Sequence, residues 1–203
     1  MGMLALVATQ HHFHQLAAWC IIGGMVWDAL DGALARLWRV SSDFGKEMDA
    51  LADLVTFGVA PSFLLYQQIV GVTSIYILPT LILFPVCGAL RLARFNTTPP
   101  ASGGHFTGMP ITAAGGVLAL CSLSWMWITS YGAVALALLL SWLMVSHIPY
   151  PGLKSVPLLT TPLGICLGVG VVTLFFILWR AWLFIPLLLY TLVAPFICKM
   201  FSS

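Results

Sequence analysis

Asp28-Ala-Leu-Asp31-Gly32-Ala-Leu-Ala35-Arg36, followed after eight residues by Gly45-Lys-Glu-Met-Asp49-Ala-Leu-Ala-Asp53, is the stretch on which the reading of this 203-residue chain turns. Its aspartates, with Asp43 and Glu47, are all six acidic residues of the protein. They lie inside or beside segments that are otherwise apolar enough for a bilayer. Hydrophobic residues make up 61% of the chain and charged residues only 7%, and the mean hydropathy is +1.03, far outside the range of soluble domains. The chain is therefore an integral membrane protein. No feature of it suits nucleic acid, and its environment is the lipid bilayer.

A bilayer core of roughly 30 Å asks for about 20 apolar residues per helix. Such runs occupy Leu16–Leu37, Phe44–Tyr66, Ile75–Phe95, Met109–Ile128, Ala133–Ile148, Pro162–Trp179 and Trp182–Met200. The expected architecture is all-α, a polytopic transmembrane bundle of about seven full spans, the fifth rather short. Ahead of them Met3–Thr9 is too short to cross and has the look of the tail of a truncated first helix. Because no Lys or Arg precedes Arg36, no cleaved targeting segment is expected. Cys20, Cys87, Cys121, Cys166 and Cys198 stand singly in apolar runs, which suits packing rather than metal binding or disulfides.

Threading the spans alternately across the membrane collects the basic residues on one face. Arg36, Arg39, Lys46, Arg91, Arg94, Lys154 and Lys199 fall there, and Arg180 falls opposite. The positive-inside tendency makes the basic face cytoplasmic. The same face carries the acidic stretch and the longer polar loops, Asn96–Gly108 and Pro149–Thr161, so the chemistry is expected to open to the cytoplasm. His11, His12 and His14 then sit in a short connector on the other side, far from the aspartates. Trp125, Trp127, Trp142, Trp179 and Trp182 lie near span ends, where an aromatic belt places them.

Asp28 and Asp31 are three residues apart, and Asp49 and Asp53 four apart, so each pair projects from one face of its helix. Two helices joined by a short loop are antiparallel neighbours, which brings the pairs together. One Asp at mid-membrane costs roughly 2.5–3.5 kcal/mol, so four left unpaired would cost on the order of 10 kcal/mol. Arg36 and Lys46 are the only nearby cations, and two cations do not balance four facing carboxylates. Bound divalent metal does so best, and an all-oxygen ligand set suits Mg²⁺ or Mn²⁺, in a two-ion arrangement, rather than zinc. Gly32, Ala35 and Gly45 leave the helix surfaces open beside these residues, where a diphosphate or a flat base could lie. Small residues also let transmembrane helices pack closely, and intramembrane carboxylates also line ion pathways, so a cation transporter is the alternative class.

The pattern DxxDGxxAR, eight residues, GxxxDxxxD resembles the signature of the CDP-alcohol phosphotransferases. The likeness extends over the chain to the phosphatidylserine synthase branch, through Ser41-Ser-Asp-Phe-Gly-Lys-Glu-Met-Asp-Ala-Leu-Ala-Asp53, Phe57-Gly58-Val59-Ala60-Pro61, Arg91-Leu-Ala-Arg94-Phe95-Asn96, Phe106-Thr-Gly108-Met-Pro110-Ile and Val145-Ser-His-Ile-Pro-Tyr-Pro-Gly-Leu-Lys154. The resemblance implies transfer of a phosphatidyl group from CDP-diacylglycerol to the hydroxyl of L-serine, with release of CMP. It implies that Asp28, Asp31 and Asp49 bind metal and that Asp53 is the general base, also touching metal. It further implies that Gly32, Ala35, Arg36 and Gly45 accommodate the CDP-lipid. For serine, the carboxylate needs a cation, and Arg91 and Arg94, with Asn96 beside them, offer planar forks suited to it. Positive-inside anchoring is the other explanation of these arginines.

On this reading residues 1–203 form one membrane-embedded domain, with the catalytic motif at 28–53 and accessory C-terminal helices over about 155–203, which could serve packing in a homodimer. A transferase using another acceptor alcohol or an archaeal-type lipid donor is the close variant. A phosphorylated acceptor would ask for more basic residues than this chain has. His105, His147 and Lys154 remain further candidates for substrate or headgroup contact.

Overall fold

Seven α-helices, one π-helical turn and a two-stranded ribbon make up the described residues of the computed structural model, namely 1–38, 42–69, 77–97, 105–124, 129–146 and 148–151. α1 (Gly2–Gln10) leads into α2 (His14–Trp38). From Asp43 a continuous helical rod follows, made of α3 (Asp43–Asp53), the π turn Leu54–Val59 and α4 (Ala60–Ile69). Then come α5 (Ile77–Thr97), β1 (His105–Thr107), α6 (Ile111–Leu123), α7 (Ser130–Val145) and β2 (Pro149–Pro151).

The all-α class holds. Among the described residues three helices are long and apolar enough to cross a membrane, at His14–Leu34, Asp43–Ile69 and Leu78–Thr97, matching the first three expected spans. α6 and α7 are shorter apolar helices of 13 and 16 residues. The last two expected spans, Pro162–Trp179 and Trp182–Met200, lie outside the described residues, with His147 and Lys154. The scrap ahead of the spans is α1, a nine-residue helix packed on α2, α4 and the π turn.

Local chemistry explains the punctuation. Ser42 caps α3 by accepting from the Gly45 backbone N–H at 3.0 Å, and Thr129 caps α7 by accepting from Gly132 at 3.2 Å; each takes a donor that the first helical turn leaves orphaned. Pro61 has no N–H to give the Phe57 carbonyl, and its ring crowds that carbonyl. The rod widens just upstream, where the Ala60 N–H reaches five residues back to Val55 and the Ser62 hydroxyl bonds the Gly58 carbonyl at 2.8 Å.

The two loops expected to be merely polar form a ribbon instead. His105 stands opposite Pro151, Phe106 opposite Tyr150 and Thr107 opposite Pro149, antiparallel. Gly108 follows with φ +80°, and a Cβ there would strike the Met144 carbonyl, so glycine alone fits without strain. The backbone N–H groups of Gly108 and Met109 bond the Ile148 and Leu143 carbonyls at 3.0 and 3.2 Å, tying this corner to the end of α7. α6 is the inner helix, buried continuously from Ala114 to Ser122 and packed on α2, α4, the π turn and α7. Dispersion and close backbone approach drive such packing where lipid is as apolar as the core.

Candidate active site

Both aspartate pairs project from where the spacing puts them, and the short connection between α2 and α3 brings the pairs face to face. Carboxylate oxygens of Asp28, Asp31 and Asp49 all lie within 4.8 Å of one another. Asp28 is half-buried, while Asp31 and Asp49 are exposed to the open side of the site. Asp53, the last residue of α3, is half-buried behind them. Its carboxyl lies within electrostatic reach of those of Asp28, Asp49 and Asp31. Three oxygen donors converge on one point, with a fourth carboxyl adjoining.

The remaining two acids are occupied elsewhere. Asp43 pairs with Lys46 at 2.9 Å on the exposed rim, and Glu47 accepts from the Asn96 amide at 3.2 Å. Lys46 is thus spent on Asp43 and is not the counter-charge to the cluster that its place in the sequence suggested. Among the described side chains the cation that faces the cluster is Arg91, from α5, which interacts electrostatically with Asp53. Its guanidinium lies over the Phe95 ring, 5.5 Å from the centroid, and its Nε is buried without a hydrogen-bond partner. Sequence reasoning named Arg91 for another reason and missed that its charge reaches Asp53, since nothing local links residues so far apart in the chain.

Arg94, one turn on, points differently: its guanidinium donates to the Val145 carbonyl at 3.0 Å, capping the end of α7. The residues expected to accommodate a nucleotide divide likewise. A Cβ added to Gly32 would meet nothing within 4 Å, so the surface of α2 beside Asp31 is open, whereas one added to Gly45 would sit 3.1 Å from the capping Ser42 hydroxyl. The backbone of Ala35 and Arg36 continues α2, and their side chains lie outside the described residues. His12 and His14 meet edge to face, 5.9 Å between centroids, at the start of α2. At 1.5 Å per residue they are roughly 25 Å from Asp31.

The donor set suits a hard divalent cation. All its ligand atoms are carboxylate oxygens, they converge without Cys or His, and the half-buried positions of Asp28 and of the adjoining Asp53 make unpaired negative charge costly there. The same arrangement offers a carboxyl, Asp53, beside but not among the three convergent donors.

A family model described as CDP-alcohol phosphatidyltransferase matches residues 1–149. The chain is 36% identical over 163 residues to a CDP-diacylglycerol–serine O-phosphatidyltransferase of Helicobacter pylori strain 26695, covering 77% of this chain and 69% of the relative. It is 38% identical over 161 residues to the protein of the same name in Bacillus subtilis, covering 75% and 84% respectively. An archaetidylserine synthase of Methanothermobacter thermautotrophicus is 39% identical over 142 residues, 67% of this chain and 59% of that one.

Proposed function

Because the chain belongs to the CDP-alcohol phosphatidyltransferase family, we propose that it transfers a phosphatidyl group from CDP-diacylglycerol to L-serine, giving phosphatidylserine and CMP. The observation that carries the reading is the convergence of Asp28, Asp31 and Asp49 within 4.8 Å beside Asp53, in a chain whose named relatives use serine. Family membership sets the cation-transport alternative aside.

In this reading Asp28, Asp31 and Asp49 would hold the divalent metal, Mg²⁺ or Mn²⁺ in a two-ion arrangement, and Asp53 would also contact it. When bound, such ions would neutralise the diphosphate and the charge developing on CMP. The open flank at Gly32, with Ala35, Arg36 and Gly45, receives the cytidine diphosphate end of the lipid. Asp53 takes the proton from the serine hydroxyl as that oxygen bonds to the lipid-side phosphorus and the bond to the CMP oxygen breaks. A positioned carboxylate acting this way contributes typically about 10²–10⁴-fold. Arg91, Arg94 and Asn96 form the serine end. The Nε of Arg91 is buried without a hydrogen-bond partner, while Arg94 and Asn96 hold the frame through Val145 and Glu47.

The site opens to the cytoplasmic side of the membrane, as the distribution of basic residues suggests, and the chain works as a homodimer. An archaeal-type lipid donor remains a second reading, favoured by the archaetidylserine synthase relative; it changes the tails and leaves the acceptor as serine. The test is CMP release by the purified protein in detergent with CDP-diacylglycerol and Mn²⁺ or Mg²⁺. Serine-dependent, chelator-sensitive release is expected. Release with glycerol 3-phosphate or inositol phosphate but not with serine would overturn the acceptor, and a rate untouched by EDTA would overturn the metal.

A further inference from the structure

Phe57-Gly58-Val59-Ala60-Pro61 plays no part in the chemistry above, yet it begins four residues after Asp53 and contains the second half of the π turn. The face of α4 is fixed by burial of Ala60, Leu64, Leu65 and Ile69 in the core. α3, by contrast, buries no side chain, so its rotation about the rod axis is inherited from the turn that follows it. A π turn holds one residue more than an α turn and thereby rotates everything upstream by about 100°, the step per residue of a 3.6-residue helix. Where Asp49 and Asp53 point is therefore set by whether Leu54–Val59 is π or α.

Two features keep it π. Pro61 denies the Phe57 carbonyl its α-helical donor, as described above. That carbonyl then faces α6, where Gly115 comes so close that a Cβ would clash with the Phe57 oxygen and lie 2.8 Å from its Cα; a Cα–H of Gly115 thus meets the oxygen that Pro61 leaves free. The next residue is a natural contrast. A Cβ on Gly116 would meet only the Met25 Sδ and Cε at 2.7 and 3.0 Å, the end of a flexible thioether that can move aside.

We propose that Pro61 and Gly115 are positioning residues: through the π turn between α3 and α4 they set the rotation that brings Asp49 and Asp53 against Asp28 and Asp31. The proposal rests on the metal-and-base reading of the site. Pro61→Ala supplies the missing N–H and lets the turn relax toward α, while Gly115→Ala pushes the Phe57 carbonyl from the other side.

The experiment measures Mn²⁺ binding to the full chain in detergent by electron paramagnetic resonance of the free ion, alongside CMP release and thermal melting by circular dichroism. Pro61→Ala and Gly115→Ala are each expected to melt as folded proteins, to bind Mn²⁺ about 10-fold more weakly, as when outer support of ligands is lost, and to lose about 100-fold in kcat, the cost of an ångström-scale misplacement. Gly116→Ala is expected to match wild type in both. Unchanged Mn²⁺ affinity in Pro61→Ala, or its failure to fold, would overturn the proposal, because the first denies the coupling and the second makes Pro61 a stability residue. Wild-type protein that binds no Mn²⁺ would instead remove the reading of the site on which the proposal stands.

Discussion

Replacing Asp53 by Asn separates the base from the ligands. The amide keeps the shape of the carboxyl, so the packing around the π turn has no reason to change. The three convergent donors, Asp28, Asp31 and Asp49, remain within 4.8 Å of one another, so Mn²⁺ half-saturation is expected to move by less than about 10-fold, the lower bound for loss of a supporting group. The proton acceptor is gone, and kcat is expected to fall by about 10²–10⁴-fold, equivalent to roughly 3–5 kcal/mol at 1.36 kcal/mol per decade. One carboxylate fewer in a half-buried acidic cluster also relieves repulsion, so the melting temperature in chelator should hold or rise. The assay is CMP release at saturating serine and CDP-diacylglycerol, with Mn²⁺ binding measured on the same preparation. Turnover above a tenth of wild type would refute the base assignment. Collapse of Mn²⁺ affinity with turnover restored by excess metal would make Asp53 a ligand in place of a base.

Asp49→Asn should show the reverse signature, a rise of at least about 10-fold in the Mn²⁺ needed for half-maximal rate, partly overcome by excess metal; unchanged metal demand would remove Asp49 from the ligand set. Arg91→Ala is expected to raise the serine KM by about 10-fold or more, the worth of a charge-assisted hydrogen bond of roughly 1.5–3 kcal/mol, with the CDP-diacylglycerol KM little changed, and equal losses for both substrates would speak for a phosphate or folding role. Arg94→Ala, which forfeits the bond to Val145, should instead lower thermal stability by about 1 kcal/mol as read from its melting curve. Gly108→Ala should destabilise by about 1–3 kcal/mol, because the left-handed φ and the Met144 carbonyl both oppose a side chain; a melting curve identical to wild type would show that the corner yields.

The acidic site was legible because its geometry is local. Spacings of three and four on two helices with a short connection leave the carboxylates little choice but to meet. The counter-charge was not legible in the same way. Lys46 looked available from its position beside Asp49, yet Asp43, one turn back on the exposed rim, takes it at 2.9 Å. Among the described side chains it is Arg91, far along the chain, that supplies charge to Asp53, because α5 packs against the π turn. The ribbon was hidden for a related reason: His105–Thr107 and Pro149–Pro151 are short, prolines bound one of them, and their pairing depends on α6 and α7 returning the chain to the same end. The first three spans followed from hydropathy, but hydropathy gives no sign of the widened turn, which lies just ahead of the missing N–H at Pro61.

That ribbon also bears on how the protein is made. β1 shortly precedes α6 and β2 shortly follows α7, so their pairing fastens the two ends of a helical hairpin together. Short apolar helices such as these gain little by entering lipid singly, and backbone groups at their ends would be stranded there without partners. Zipped at the base, α6 and α7 can be delivered to the bilayer as a single package, with α6 slotting between helices already in place. A break in the chain before β1 would leave that package whole, whereas a break between α6 and α7 would divide it.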